Sequence, residues 1–242
     1  MQILFLQSLR ATGRDASADG QCAALACRIS DLFSDAVDHI RDEAGGAMNS
    51  TAEALIHRAT VVDTELDHYY NQHASPSTSE IRYASAATSA AAHHDILQSV
   101  ARSIQYATKI TLHELRLRLV TSVNLKSGLH MQGASVGRTY DTLVWTSVGI
   151  IPGLAEQIRS SVIECLGDPV LGNGDEYQPM PTGTMAAAYL LLWPLLVVKL
   201  ATCSTKEQRS FADNTLRQIG ERLGIQQATE FHKSRRKGLI DT

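Results

Sequence analysis

The stretch that decides the fold runs from Ala188 to Ala228 and reads AYLLLWPLLVVKLATCSTKEQRSFADNTLRQIGERLGIQQA. It begins inside a segment, Met185–Ala201, that is apolar on every side, which predicts a helix buried at the centre of the fold. Pro194 in the interior of that helix predicts a kink. An amphipathic helix is predicted next, because overlapping capping boxes begin it and a glycine fits its C-terminal cap. The capping pairs are Ser204 with Glu207 and Thr205 with Gln208, the apolar stripe is Ala212, Leu216, Ile219 and Leu223, and the cap is Gly224.

Helical spacing of apolar residues continues through the rest of the chain, and no period-2 run typical of a β-strand occurs in the sequence. Between Tyr83 and Val123 there is neither proline nor glycine, which predicts one long helix. Pro152 is expected in the first turn of a further helix, and loops are expected at 74–79 and 168–183. We therefore predict one all-α domain over residues 1–242, an irregular single-domain helical bundle with a buried, Pro-kinked central helix near the C-terminus.

The charge balance argues against nucleic acid as a direct partner. The chain has 22 basic and 25 acidic residues, whereas dedicated DNA-binding proteins carry a basic surplus that neutralises phosphates. The apolar run Met185–Val198 falls short of the about 20 residues that a membrane helix needs, and the N-terminal sequence does not match a signal peptide. Four scattered cysteines do not suit a disulfide scaffold. These features predict an intracellular protein, nuclear or cytoplasmic, with no membrane partner.

Several motifs, in order along the chain, resemble those of one protein family. Near the C-terminus these are Leu191–Leu195 (LLWPL), Glu207–Arg209 (EQR) and Leu216–Gly220 (LRQIG). Earlier in the chain they are Asp63–Tyr69 (DTELDHY) and Tyr106–His113 (YATKITLH). Together they resemble the regulatory, or middle homology, domain of fungal zinc-cluster transcription factors. The resemblance is strongest over residues 185–235.

This resemblance implies an all-helical domain that senses an effector or a partner in the control of a metabolic or secondary-metabolite pathway. The zinc cluster that precedes such domains needs two closely spaced cysteine triplets, which Cys22, Cys27 and two distant cysteines cannot supply. We therefore expect no DNA-binding module, no cofactor and no direct contact with nucleic acid. A domain of this kind acts through binding. The expected partners are a small apolar molecule or metabolite, a second copy of the chain, or a full-length transcription-factor relative.

Catalytic and metal-binding motifs of other protein classes are either missing from the sequence or better explained as residues on helix surfaces. His93-His94-Asp95 suggests a metal site, but adjacent helical residues point about 100° apart, so the two histidines cannot bind one ion from one face. Asp63 and Asp67 are interpreted as a solvated pair, because a terpene-cyclase site would need a second magnesium-binding triad. No P-loop, nucleophile elbow or dinucleotide fingerprint occurs. The sequence therefore predicts no metal site.

Polar side chains beside apolar helix faces are better candidates for a site. On an ideal helix, His93, Thr111 and Glu114 project onto the apolar stripe of the predicted long helix. Burying a carboxylate is costly unless it is paired, so Glu114 is expected to meet Arg, Lys or His, or to line a cavity. Tyr106 and His113 share another flank of the same helix.

Two functions remain open, and both require a mostly apolar internal pocket. The first is the regulatory, ligand-sensing domain described above, with ligand-binding candidates Tyr189, Trp193, Trp145 and His93. The second is the same scaffold used as a cofactor-independent enzyme of natural-product biosynthesis: a cyclase, isomerase or dehydratase. Its catalytic candidates are His113, Glu114 and Tyr106. A satisfied buried polar network is the structural alternative for the same side chains.

Overall fold

The computed structural model describes residues 16–41, 49–73, 88–126, 134–167 and 184–234. Within these ranges all regular secondary structure is α-helical, which confirms the predicted all-α, single-domain bundle. The helices are α1 (Ala16–Arg41), α2 (Asn49–His73), α3 (Thr88–Lys126), α4 (Ala134–Leu166), α5 (Thr184–Leu200), α6 (Lys206–Leu223) and α7 (Gln226–Lys233). None of these helices is both long and apolar enough to cross a lipid bilayer.

The two longest helices, α3 and α4, form an antiparallel pair with the largest helix–helix contact in the described part of the chain. Early in α3, the hydroxyl of Ser99 donates a hydrogen bond to Glu164 near the end of α4 (2.8 Å). Further along α3, His113 instead meets Ser147, which lies earlier in α4 (3.1 Å). The two contacts therefore show that the helices run in opposite directions, and every other described helix packs on this pair or on its neighbours.

A second antiparallel pair, α1 and α2, packs against α3. Its outer edge carries two ion pairs, Arg28 with Glu65 and Arg58 with Asp35, each with an N–O distance of 2.6 Å. Residue numbers rise along α1 as they fall along α2 in these pairs, which sets the antiparallel direction. Because three of the four side chains are about half exposed and Glu65 is 33 % exposed, solvent screens the pairs and each contributes little to stability. We call α1 and α2 together the α1–α2 hairpin.

The buried apolar residues form two clusters that share α3 and α4. The N-terminal core joins α1, α2, the second half of α3 and the start of α4. The C-terminal core joins the first half of α3, the second half of α4, and α5 to α7. Fully buried members include Leu32, Leu66, Leu115 and Leu119 in the N-terminal core and Ile104, Ile158, Leu191, Leu195 and Leu216 in the C-terminal core. The long α3–α4 pair thus holds both cores in one bundle.

Helix α5 is buried at the centre of the C-terminal core, as its uniformly apolar sequence predicts. Leu191, Leu192 and Leu195 are completely buried. The prediction is wrong for one side of the N-terminal end of the helix, where Met185 and Tyr189 are exposed, although Ala187 and Ala188 between them are buried in the core. The helix continues through Pro194 to Leu200, and the kink at this proline stays a prediction.

The termini of α6 follow from its local sequence. Thr205 and Gln208 form the capping box, in which Thr205 Oγ1 accepts from the backbone N–H of Gln208 and Gln208 Oε1 accepts from that of Thr205. The alternative box that begins at Ser204 does not form, since Ser204 precedes the N-cap. At the other end, Gly224 adopts the left-handed conformation (φ 66°) that favours glycine in a C-cap.

Pro152 lies in the interior of α4, so the prediction that it begins a new helix is wrong. Proline has no N–H to bond the carbonyl of Val148 one turn earlier, but Val148 is exposed and its carbonyl can be hydrated. The carbonyl of Pro152 itself accepts a hydrogen bond from the Gln208 side chain of α6 (2.8 Å). This tertiary contact joins α6 to the part of α4 that contains the proline. The loops expected at 74–79 and 168–183 lie outside the described residues.

Two glycines within helices provide a matched test of the packing between α6 and α7. A Cβ on Gly220 would lie 2.4 Å from Thr229 Oγ1 and 3.2 Å from the Thr229 backbone nitrogen, whereas a Cβ on Gly149 meets nothing within 4 Å. We expect Gly220→Ala to lower the free energy of unfolding by about 1–2 kcal/mol, as overpacking does. Gly149→Ala should raise it by about 0.5–1 kcal/mol through helix propensity. Urea denaturation measures both, and the same sign for both would contradict the close α6–α7 contact.

Candidate functional site

A polar layer that is mostly buried, with Asp67 as its most exposed member, lies where the two cores meet, between α2, α3 and α4. We call it the polar seam, and it comprises Asp63 and Asp67 of α2, Lys109, His113 and Arg116 of α3, and Ser147 of α4. The α3 members recur after four and three residues, and the two aspartates are four residues apart, so each set lies on one helix face. The antiparallel packing of α2 on α3 brings the acidic and basic faces together.

The charged side chains of the seam form a connected set of ion pairs. Arg116 Nη2 donates to Asp63 Oδ2 (3.1 Å) and to the carbonyl oxygen of Ala59 (2.9 Å). Lys109 Nζ lies 2.6 Å from Asp67 Oδ2 and 3.7 Å from Asp63 Oδ1. Arg116 Nε and Asp63 Oδ1 are buried without a hydrogen bond in the described residues. Such partly satisfied buried ions depend strongly on one another, because losing one partner leaves an uncompensated charge.

The ring of His113 is held in one tautomer by its neighbours. Its Nδ1 lies 3.1 Å from Ser147 Oγ and 3.3 Å from Arg116 Nη1. A guanidinium nitrogen can only donate, so Nδ1 must be an acceptor and the ring proton is assigned to Nε2. Nε2 faces Asp63 Oδ2 across 3.9 Å. The contacts within the polar seam therefore favour the neutral ring of His113 with its proton on Nε2.

The environment of His113 disfavours its charged form. Burial is the largest cause, followed by the positive charge of Arg116, and together they lower the pKa of His113 from 6.5 to about 4 while Asp63 opposes the shift. The imidazole is therefore neutral at physiological pH. A base with so low a pKa accepts a proton weakly near neutral pH, which is a poor match to general acid–base catalysis.

Glu114 faces a different part of the protein from His113, although the two are adjacent in sequence. Its carboxylate accepts hydrogen bonds from the Thr202 backbone N–H (2.6 Å) and from the Thr202 hydroxyl, in the turn between α5 and α6. With an exposed fraction of only 1 %, Glu114 is nevertheless bonded to uncharged donors instead of the expected Arg, Lys or His. This contact ties α3 to the end of the central helix.

The other polar candidates of α3, Tyr106 and Thr111, make separate contacts. Tyr106 is half-buried against the C-terminal core, and the hydroxyl of Thr111 donates to the carbonyl of Ala107 within α3 (2.8 Å). Neither residue has a hydrogen bond to His113 or Glu114 among the described contacts. The structure therefore brings His113 into the polar seam, but it does not join His113, Glu114 and Tyr106 in one hydrogen-bonded site.

The ligand-binding candidates occupy different environments. Trp193 is half-buried against the C-terminal core. Tyr189 is 42 % exposed, and Trp145 on α4 is 75 % exposed. The side chain of His93 lies outside the described residues, as does that of His94. Among these candidates, Trp193 is the one whose side chain packs against the core.

Half of the polar seam does not follow from helical periodicity, and the prediction for Asp63 is wrong. Asp63 was expected on a solvated face, but its side chain is 17 % exposed and paired with Arg116, whereas Asp67 remains 45 % exposed. Lys109, Arg116 and Ser147 were not singled out. The available signal was the match between basic residues at helical spacing on α3 and acidic residues at helical spacing on α2. Pairing those faces requires knowing that the two helices meet.

The thiols are poor candidates for nucleophiles. Cys165 is buried, and burial together with the charge of Glu164 raises its thiol pKa to about 11. Burial and then the charge of Glu114 also raise the pKa of Cys203. Both thiols therefore remain protonated at neutral pH, and the thiolate is the reactive form. No group of three or more potential metal ligands converges in the described part of the chain.

Comparisons with known proteins add no relative from which a function could be inferred. No family model matches the chain, and neither a curated protein nor a solved structure shows significant similarity to it.

Proposed function

We propose that the chain is a non-enzymatic regulatory domain that binds a small apolar metabolite, similar to the regulatory domain of fungal zinc-cluster transcription factors but without a DNA-binding module. The motifs from Asp63 to Gly220 and the all-helical bundle support this proposal. It places the domain in an intracellular compartment, in the control of a metabolic or secondary-metabolite pathway. Free thiols at Cys27, Cys165 and Cys203 are compatible with such a reducing location.

One observation favours binding over catalysis: the buried titratable side chains are engaged in separate structural contacts. His113 is fixed by Arg116 and Ser147, while Glu114 holds Thr202 on another side of α3. General acid–base catalysis needs groups that reach the substrate together and have a pKa near the working pH. A cyclase, isomerase or dehydratase is therefore the less favoured function.

The region around Trp193 is the proposed ligand-binding region. Trp193 lies half-buried on the central helix, among apolar residues of the C-terminal core. The adjacent Pro194 provides no N–H for the carbonyl of Leu190, so the helix backbone has a weak point beside the indole. An apolar ligand that enters here would contact the indole. Binding at this point would be transmitted through α5 to its contacts with α3 and α6.

The two tryptophans allow a direct test. In Trp145→Phe the remaining indole is Trp193, and in Trp193→Phe it is the exposed Trp145. We expect a bound apolar metabolite to shift the emission of Trp145→Phe and to leave that of Trp193→Phe unchanged. Ligand at 100 times its Kd should also raise the free energy of unfolding by about 2.7 kcal/mol. Fluorescence titration and thermal denaturation with a panel of apolar metabolites measure these effects.

Mass and chromatographic analysis of the same mixtures separates binding from turnover. The proposal expects each bound metabolite to be recovered unchanged. Conversion of a metabolite that is lost in folded His113→Asn or Glu114→Gln would establish the enzyme instead. An emission change confined to Trp193→Phe would move the binding surface to the exposed face of α4 and contradict the proposed region.

A further inference from the structure

The charges of the polar seam balance when His113 is neutral. Two carboxylates, Asp63 and Asp67, face two cations, Lys109 and Arg116. Ser147, the contact from α4, is uncharged. These are the charged and titratable groups that face His113 from α2, α3 and α4. A proton added to His113 would give this buried layer one positive charge in excess.

The hydrogen bonds of His113 would also change on protonation. A protonated ring carries hydrogen on both nitrogens, so Nδ1 changes from an acceptor to a donor. Nδ1 would then face the N–H groups of Arg116 Nη1 at 3.3 Å, with like charges on the two groups. The Ser147 hydroxyl can rotate to accept, but the guanidinium cannot accept a hydrogen bond. Protonation therefore replaces an attraction between His113 and Arg116 with a repulsion.

The position of the polar seam determines which helix–helix contact is weakened when His113 and Arg116 repel each other. Arg116 holds α2 through both Asp63 and the carbonyl of Ala59, in addition to the ion pairs that Lys109 makes with α2. The α1–α2 hairpin reaches the rest of the bundle mainly through α3, with Tyr140 of α4 adding one hydrogen bond to Glu53 (2.9 Å). The C-terminal core does not include α1 or α2. Displacing Arg116 thus weakens the attachment of the hairpin and leaves the second core in place.

We propose that the polar seam is an acid-sensitive latch, in which neutral His113 holds the α1–α2 hairpin on α3 and protonation of His113 releases it while the C-terminal core stays folded. This inference is independent of the proposed metabolite binding.

The sign and size of the effect follow from proton linkage. The pKa of His113 is lowered from 6.5 to about 4 in the closed state, so the released state binds the proton more tightly. The closed state is therefore fully favoured above pH 6.5 and progressively disfavoured as the pH falls towards 4. If the released ring regains its ordinary pKa, lowering the pH from 7.5 to 5 should increase the opening equilibrium roughly thirty-fold.

Hydrogen exchange of the full chain, corrected for the intrinsic pH dependence of exchange, measures this opening. Amides of α2 should lose roughly thirty-fold in protection between pH 7.5 and 5, while amides of α5 should retain theirs. His113→Asn is the test variant, because the carboxamide oxygen of asparagine can replace the Nδ1 acceptor but takes no proton at these pH values. His57→Asn, at an exposed position of α2, is the matched control. We expect His113→Asn to abolish the pH-dependent loss and His57→Asn to preserve it.

An equal loss of α2 protection in wild type and His113→Asn would overturn the latch and assign the effect to other groups. Simultaneous loss in α2 and α5 would also overturn it, since the whole bundle would then open at once. If His113→Asn does not fold, nuclear magnetic resonance of the His113 ring in the wild-type protein decides. The latch requires a proton on Nε2 at neutral pH and titration well below pH 6.5. A proton on Nδ1, or titration at the ordinary value, would contradict it.

Discussion

Leu195→Ala is expected to lower the free energy of unfolding by about 2–5 kcal/mol, because it removes a fully buried side chain and leaves a cavity in the C-terminal core. Leu192→Ala should have a similar effect, since Leu192 is equally buried on the same helix. Urea denaturation followed by circular dichroism measures the change. The slope of the transition should stay close to that of wild type if the variant exposes the same surface on unfolding.

The matched control is Leu97→Ala, the same chemical change at a residue of α3 that is 50 % exposed. It should change stability by less than about 0.5 kcal/mol, as surface substitutions usually do. The difference between the two leucines isolates burial from helix propensity. If Leu195→Ala and Leu97→Ala had equal effects, α5 would not be the central helix of the bundle.

Asp63→Asn is expected to lower the free energy of unfolding by about 3 kcal/mol, because it leaves the buried guanidinium of Arg116 without its carboxylate. The amide has nearly the same shape as the carboxylate, so the loss reports charge and not volume. Asp35→Asn is the control, since Asp35 and Arg58 approach within 2.6 Å but are 53 % and 46 % exposed. That surface pair should contribute about 0–1 kcal/mol.

The comparison of Asp63→Asn with Asp35→Asn is informative because the two ion pairs differ in length and burial. The smaller loss of stability is expected for Asp35→Asn, although its ion pair is the shorter one. A double-mutant cycle of Asp63→Asn with Arg116→Met should give a coupling free energy of about 1–3 kcal/mol between the two sites. Additive effects would show that Asp63 and Arg116 are not coupled. A loss below 0.5 kcal/mol for Asp63→Asn would indicate that the seam is hydrated in solution.

The sequence predicts best those features of the fold that depend on residues close together in the chain. The capping box of Thr205 and Gln208 and the left-handed Gly224 depend on local backbone geometry, so their positions follow from the residue types. The burial of α5 follows from its composition alone. The prediction for Pro152 is wrong because the helix continues through this residue, whose carbonyl accepts a hydrogen bond from Gln208, 56 positions away. Local rules contain no information about such a partner.

The candidate site was predictable only in part, for the same physical reason. Helical periodicity shows that His113 and Glu114 lie against apolar faces, and both are indeed buried. It does not show which helix covers each face. The partners Asp63 and Thr202 are distant in sequence from His113 and Glu114. Considered without its partner, an aspartate such as Asp63 belongs to a residue type that usually lies on the surface. Knowledge of the α2–α3 register would be needed to predict the seam.

The division of the bundle into two cores has a consequence for its synthesis. A chain leaves the ribosome N-terminus first, and its parts fold in that order. The N-terminal core needs residues only as far as Val144, whereas the C-terminal core requires residues as far as Phe231. Glu114 must wait for its donor Thr202, 88 residues later. In a nascent chain that stops before Thr202, Glu114 lacks its donor and the helices that bury it. The described members of the N-terminal core are therefore all made before α5 begins, whereas the Glu114–Thr202 contact forms only after α5 is complete.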